Sequence, residues 1–265
     1  MVFVRGYVRL VTTVSDQLQK FALVSGLSAN PEKSCLYFGG VGSDVQADIL
    51  AATRFAVGDF PFRYLGVPLN DGRLNKTHFE TLINKVQSAL NKWSSHLLSY
   101  AGKIQLLNSI VFGLENYWCS TLFIPKGVIK LIQRFCRSFL WNVAEGHRGF
   151  YPKSWISCCA PYGEGGFNIK EILSWNKALI CKWLWQVETR NESLWFQWLR
   201  NYPLKRCSIW DLQIKIHHAE SFRSMPHIRD CLLQVGCASN GKFVIGHAYE
   251  LFRAVYPGVP WSSVI

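Results

Sequence analysis

Lys126, Lys130, Arg134 and Arg137 recur at spacings of four, four and three residues, which on a helix gathers them into one stripe about 80° wide. A row of cations rising about 1.5 Å per residue suits one chemistry in particular, the neutralisation of successive phosphates on a nucleic-acid backbone. Leu131, Ile132, Phe135 and Phe139 fall on the opposite side, and no Asp or Glu interrupts the stripe. An ordinary solvated face is the competing reading of any charge run. Upstream, Lys85, Lys92 and His96 share the flank of another apolar pattern.

Other residue sets fail on spacing. Asp44 and Asp48 share a helix face, as converging carboxylates would, but they lie among alanines and read as surface. Gly163-Glu164-Gly165-Gly166 lacks the Lys-Ser/Thr ending and the preceding strand of a phosphate loop, so it reads as a turn. The nine cysteines include no Cys-x-x-Cys pair, and Cys158-Cys159 are adjacent, which suits neither a zinc knuckle nor a redox motif. Cys207, His217, His218, His227, Cys231 and Cys237 match no zinc spacing, so buried free thiols and no metal or other cofactor are expected. No Ser/His/Asp set has a nucleophile elbow. The residues describe a basic, helix-rich binding unit without a self-contained catalytic constellation.

The elements that must carry these residues follow from periodicity. Thr13 to Ser25 predicts an amphipathic helix stopped by Gly26, with Leu18, Phe21, Ala22 and Ser25 on one face. After Asn30-Pro31, Lys33 to Phe38 reads as a strand. Ser43 caps a helix over Asp44 to Arg54, and Phe62 to Val67 reads as a second strand ending at Pro68. Phe79, Ile83, Val86, Leu90, Trp93 and Leu97 predict a helix from Lys76 to Leu97. A second, apolar nearly all round, runs from Ser99 to Cys119. Pro125 closes the connection to the helix Lys126 to Leu140. Ile172, Trp175, Leu179, Trp183 and Val187 mark one further helix, and Trp195 and Trp198 another short one. Tryptophans at helical spacing read as core before they read as base-stacking platforms. The fold class expected is α+β, predominantly α, with short antiparallel strands followed by helices.

Composition agrees with a folded nucleic-acid binder. Hydrophobic residues make up 49% and charged residues 17% of 265, enough to bury a core and too apolar for a disordered chain. The formal net charge is +12, of which residues 70–160 carry +7, so an anionic partner is favoured over an acidic substrate. No apolar stretch reaches the ~20 residues of a membrane span, and the opening Met1 to Gly6 is too short for a signal-peptide core. A cytoplasmic or nuclear compartment is expected rather than secretion or a membrane.

Several of these residues resemble a known family. Phe21-Ala22-Leu23-Val24-Ser25-Gly26-Leu27-Ser28-Ala29-Asn30-Pro31-Glu32-Lys33-Ser34 resembles the helix-turn-strand after the catalytic strand in reverse transcriptases of plant LINE-type (non-LTR) retrotransposons. Phe62-Arg63-Tyr64-Leu65-Gly66-Val67-Pro68-Leu69 is similar to that family's primer-grip hairpin. Further matches run in order through Trp93, Leu97, Ala101-Gly102-Lys103, Ile124-Pro125-Lys126 and Phe139-Leu140-Trp141. They continue through Gly165-Gly166-Phe167, Asn176-Lys177-Ala178-Leu179 and Lys182-Trp183.

The resemblance implies a palm remnant over 1–69, a helical thumb over 70–160, a Trp-rich helical connector over 161–240 and the start of a zinc-binding domain over 241–265. Lys33 would match the lysine that protonates or neutralises departing pyrophosphate. Tyr64, Leu65 and Gly66 would hold the primer end, and Lys85, Lys92, Lys103, Lys126, Lys130, Arg134 and Arg137 would meet the backbone of an RNA–DNA or DNA duplex, weakly. The family uses Mg²⁺ on a Tyr-x-Asp-Asp motif that would come immediately before Met1, and its Cys/His zinc ligands would lie beyond Ile265. Polymerisation by this chain is therefore not expected, and no metal site is expected in it. Tyr7 stands where the family commonly has an acid. A non-enzymatic helical protein-interaction module and a decayed relic are the alternatives.

Overall fold

In the computed structural model of the chain, the apolar pattern after Tyr7 winds into α1 (Val8–Ser25), five residues longer at its start than the pattern from Thr13 predicts. Gly26, at φ 71°, ends it by donating its N–H to the Ala22 carbonyl at 2.9 Å, a left-handed cap that glycine adopts without a Cβ penalty. The structure describes residues 1–70, 72, 74–94, 98–143, 150–189, 197, 201, 238–239 and 242–259. His96, Leu97, Trp195, Trp198 and the Cys/His scatter from Cys207 to Cys237 lie outside the described residues. The chain divides into two compact units, Met1–Arg73 and Leu74–Ile265.

In the first unit Asn30 accepts the N–H groups of Glu32 and Lys33, starting a 3₁₀ turn at Pro31–Lys33. Strand β1 (Cys35–Leu36) is therefore shorter than the Lys33 to Phe38 run suggests. It pairs with β2 (Ala56–Val57) in parallel, Cys35 opposite Ala56. That orientation departs from the antiparallel expectation because α2 (Ser43–Thr53) intervenes and returns the chain in the same direction. Ser43 is the first residue of α2 and not its cap, since Gly42 holds the cap position. Phe62 to Leu69 is a hairpin of β3 (Phe62–Tyr64) and β4 (Val67–Leu69), antiparallel with Tyr64 opposite Val67. Leu65 at φ 50° and Gly66 at φ 84° turn it, the two positive φ values that a two-residue type I′ loop requires.

The second unit is helical where its apolar residues repeat. A 3₁₀ turn at Lys76–Phe79 leads into α3 (Glu80–Ser94), which buries Leu82, Ile83, Val86 and Leu90. Ser99 then caps α4 (Tyr100–Leu106) by accepting the Gly102 N–H. One π-helical turn, Leu107–Val111, joins α4 to α5 (Phe112–Thr121). α6 (Lys126–Leu140) has the boundaries its periodicity predicts. It buries Val128, Ile129, Ile132, Cys136, Phe139 and Leu140 and packs on α3. Leu131 and Phe135, expected at the centre of that face, are only half-buried.

α7 (Trp155–Cys159) is short and capped by Ser154. α8 (Ile172–Thr189) packs with α9 (Ile245–Phe252) around Ala178, Cys181, Leu184, Val187, Ala248 and Tyr249. Trp175 and Trp183 border this cluster and do not fill it. A last antiparallel pair, β5 (Ala238–Ser239) and β6 (Lys242–Phe243), precedes α9. The fold is α+β and predominantly α. Gly163 to Gly166 is a turn, with Gly165 at φ 75° and a Cβ on Gly166 blocked by the Ala160 carbonyl. Cys119, Cys136, Cys158, Cys159 and Cys181 are buried thiols outside any disulfide, and Cys35 is an exposed one. Among the described residues no helix is long and apolar enough to cross a membrane.

Candidate nucleic-acid interface

The α6 face opposite its buried side carries Lys126, Lys130 and Arg134, all exposed. Consecutive members are one turn apart, about 6 Å along the axis. Arg137, the fourth residue of the stripe, is half-buried. Its guanidinium carbon lies 4.1 Å from the centre of the Tyr151 ring, close enough for a favourable cation–π contact. The Tyr151 hydroxyl lies 3.3 Å from Ser138 Oγ, which fixes the ring against the same helix. Arg137 Nε is buried with no acceptor among the described residues. The structure therefore presents three of the four cations outward and turns the fourth along the protein surface.

Lys85 and Lys92 are exposed on α3. They line an open groove of about 710 Å³ together with Thr81, Asn84, Ser88, Ala89 and Gly113. The α3 members share one helix face. Ion pairs among the described residues join Arg253 to Glu164 and Glu250. None involves Lys85, Lys92, Lys126, Lys130 or Arg134, so these five charges have no carboxylate partner among the described residues.

Lys103 is elsewhere. It is 5% exposed, donates its ammonium to Asn142 Oδ1, and lies 5.7 Å from the ring centres of Tyr100 and Phe139. Burial pushes its pKa down, because the interior disfavours the charged form. Its role here is to tie α4 to the end of α6. Lys33 is exposed at the end of its 3₁₀ turn, with its N–H on Asn30 Oδ1. Tyr64 and Leu65 are exposed by 40% and 73% at the tip of the β3–β4 hairpin, beside Gly66. These residues belong to the first unit and the cations to the second.

Sequence reasoning missed the groups that aim α6. Asn176, fully buried in α8, accepts the Ile124 N–H at 3.0 Å and donates to the carbonyls of Cys119 at 2.7 Å and Leu122 at 2.8 Å. One side chain thus satisfies three backbone groups in the α5–α6 connection, where helix ends leave donors and acceptors unmade. Glu171 accepts the N–H groups of Leu173 and Ser174 at the start of α8, and Gln133 of α6 donates to it at 2.9 Å. The Tyr249 hydroxyl accepts the Glu171 N–H at 3.0 Å, and burial raises its pKa to about 12. An asparagine within an apolar helical face was the available signal, since a buried amide must find partners.

No protein-family model matches the sequence. Over 129 residues the chain is 28% identical to a protein of Arabidopsis thaliana named as a ribonuclease H protein. The match takes in 49% of this chain and 21% of that protein. The matched half of the chain thus spans about a fifth of that protein's length.

Proposed function

We propose that the second unit is a sequence-independent clamp on a nucleic-acid backbone, and that the chain derives from the reverse transcriptase of a LINE-type retroelement. The observation that carries the clamp is the exposed row Lys126, Lys130 and Arg134 on α6, one turn apart and without carboxylate partners among the described residues. Long cationic side chains on a convex helix reach phosphates, and such contacts hold a duplex in place without reading its bases. The ordered motif matches from Phe21 to Trp183 support the retroelement ancestry. The partial relative's name, that of a ribonuclease, is in keeping with a nucleic-acid partner. In this reading Tyr64, Leu65 and Gly66 meet a primer end, and Lys33 sits by the reacting phosphates of the parent enzyme.

The test is a titration of a fluorescein-labelled 20-base-pair RNA–DNA hybrid at several KCl concentrations. Each phosphate neutralised contributes about 0.9 to the slope of log affinity against log salt. Replacing Lys126, Lys130 and Arg134 together by alanine is expected to reduce that slope by about 2 to 3. An unchanged slope would remove α6 from the interface and with it the reason for the clamp.

A further inference from the structure

Gln133 stands on the flank of the α6 stripe, three residues after Lys130 and four before Arg137, spacings that make neighbours on a helix surface. Its amide donates to Glu171 Oε1 at 2.9 Å, so α6 is gripped beside its cations by a group from another element. Glu171 is in turn held from α9. Its N–H donates to the Tyr249 hydroxyl at 3.0 Å, and its Oε2 accepts the Ser174 N–H at 2.6 Å. Ser174 Oγ donates at 3.0 Å to the carbonyl of Phe252, the last residue of α9. Ser174 and Tyr249 are only 4% and 5% exposed, and a hydrogen bond shielded from water is electrostatically the stronger for it. Beyond α9, residues 253–259 form a strap on the turn around Glu164. Arg253 grips both oxygens of the Glu164 carboxylate at 2.6 and 2.8 Å, and the Tyr256 N–H donates to the same group at 2.9 Å. The Val259 N–H donates to the Gly163 carbonyl at 2.9 Å. One carboxylate thus anchors the start of the strap, directly after the residue that Ser174 holds.

We propose that α9 and its strap are a brace that sets the rotation of α6, with Glu171 as the positioning residue at the joint, so that freeing the strap from Glu164 weakens the hold on nucleic acid. The path is continuous: from Glu164 to Arg253, along the chain to Phe252, across to Ser174, and through Glu171 to Gln133. Gln133 suits the joint because an amide gives the contact a direction while leaving every cation of α6 unspent. The proposal rests on the reading of the second unit as a nucleic-acid clamp, and adds to it which residues, themselves remote from the phosphates, keep the cation row aimed.

In the full chain, Gln133→Met cuts the path at α6 and Arg253→Gln cuts it at the strap. Affinity for the labelled 20-base-pair RNA–DNA hybrid is measured well below the thermal midpoint of every variant. Each is expected to bind about three- to tenfold more weakly. The double variant should bind no more weakly than the worse single one, because both break the same path. Arg253→Lys, which keeps a cation on Glu164, should recover most of the loss. Ser174→Ala removes the Phe252 bond alone, should weaken binding similarly, and decides the matter should Arg253→Gln misfold. Coupling between two sites is reciprocal, which supplies a readout that a merely structural role would not move. The hybrid is expected to slow hydrogen exchange at the Tyr256 and Val259 amides about threefold or more in the parent chain, and that protection should vanish in Gln133→Met. Lower thermal midpoints with unchanged affinity and exchange overturn the brace, as do losses that multiply in the double variant. If the triple α6 variant loses its salt dependence while Gln133→Met and Arg253→Gln bind normally, the brace falls and the clamp stands. If the salt slope survives the triple variant, both fall.

Discussion

Leu65 occupies the first position of a two-residue turn at φ 50° and is 73% exposed. A non-glycine L-residue in the left-handed region costs roughly 1–2 kcal/mol, and asparagine tolerates it better than leucine. Leu65→Asn is expected to stabilise the chain against urea by about 0.5–1 kcal/mol. A neutral or lower midpoint would mean that the leucine holds the hairpin by contacts stronger than the strain. Lys103 shows a different limit of residue-scale reading. Its place in the Ala101-Gly102-Lys103 match suggests a phosphate contact, whereas its acceptor, Asn142, is 39 residues away and invisible to local pattern. Glu164 and Arg253 are likewise 89 residues apart, and their bidentate pair at 2.6 and 2.8 Å is legible only in the fold. The Arg253 hydrogen bonds hold the Glu164 carboxyl below its ordinary value. A depressed carboxylate contributes stability that is present above its unfolded pKa and disappears as pH falls through the folded one. Arg253→Gln should therefore flatten the loss of stability on acidification below about pH 4.5, its ordinary range, followed by urea midpoints at stepped pH. A parent and variant losing stability in parallel would show that the pair is not the acid-sensitive element.

At the scale of elements, the bounds of α6 were legible and α8 only partly so, for a physical reason. The α6 pattern is set by one buried face against α3, and 3.6-residue periodicity reports such a face directly. α8 packs on several neighbours at once, so its tryptophans border the core while Asn176 lies fully within it. The hairpin over Phe62–Leu69 reads as one strand by composition because a leucine fills a turn position usually given to Asn, Asp or Gly. The π turn between α4 and α5 left no periodic trace at all. Asn176 makes the element-scale prediction sharp. Asn176→Leu keeps volume and removes the partners of the Ile124 N–H and of the Cys119 and Leu122 carbonyls. Leaving a buried backbone group unmade costs about 1–3 kcal/mol. A loss on the order of 3 kcal/mol in chemical denaturation is expected, and a loss below about 1 kcal/mol would show that the α5–α6 connection holds itself.

At the scale of the molecule, net charge states how many cations exist, and only the fold states how many are available. The sequence places eleven basic residues between 70 and 160, which taken at face value would give a salt slope near 10. Within that stretch Lys103 is buried on Asn142, Arg137 is stacked on Tyr151, and Lys153 donates to the Gly165 carbonyl. Beyond it, Lys170 lies over Trp175 and Tyr249 and Lys177 over Phe252, while Arg253 is paired. Of the remaining basic residues between 70 and 160, Arg73 and Arg148 lie outside the described residues, Lys76 is exposed in the turn before α3, and Lys85, Lys92, Lys126, Lys130 and Arg134 are exposed on α3 and α6 without carboxylate partners among the described residues. Five phosphate contacts correspond to a slope of about 4 to 5. Titration of the RNA–DNA hybrid from 50 to 300 mM KCl is expected to give that value, and alanine at all five positions to bring it close to zero. Because phosphate contacts carry no base information, hybrids of unrelated sequence should bind within about threefold of one another, whereas base readout would separate them by about 1–3 kcal/mol per altered pair. A slope that stays above about 2 in the five-alanine chain would place the binding charge on other cations and leave α3 and α6 as scaffold.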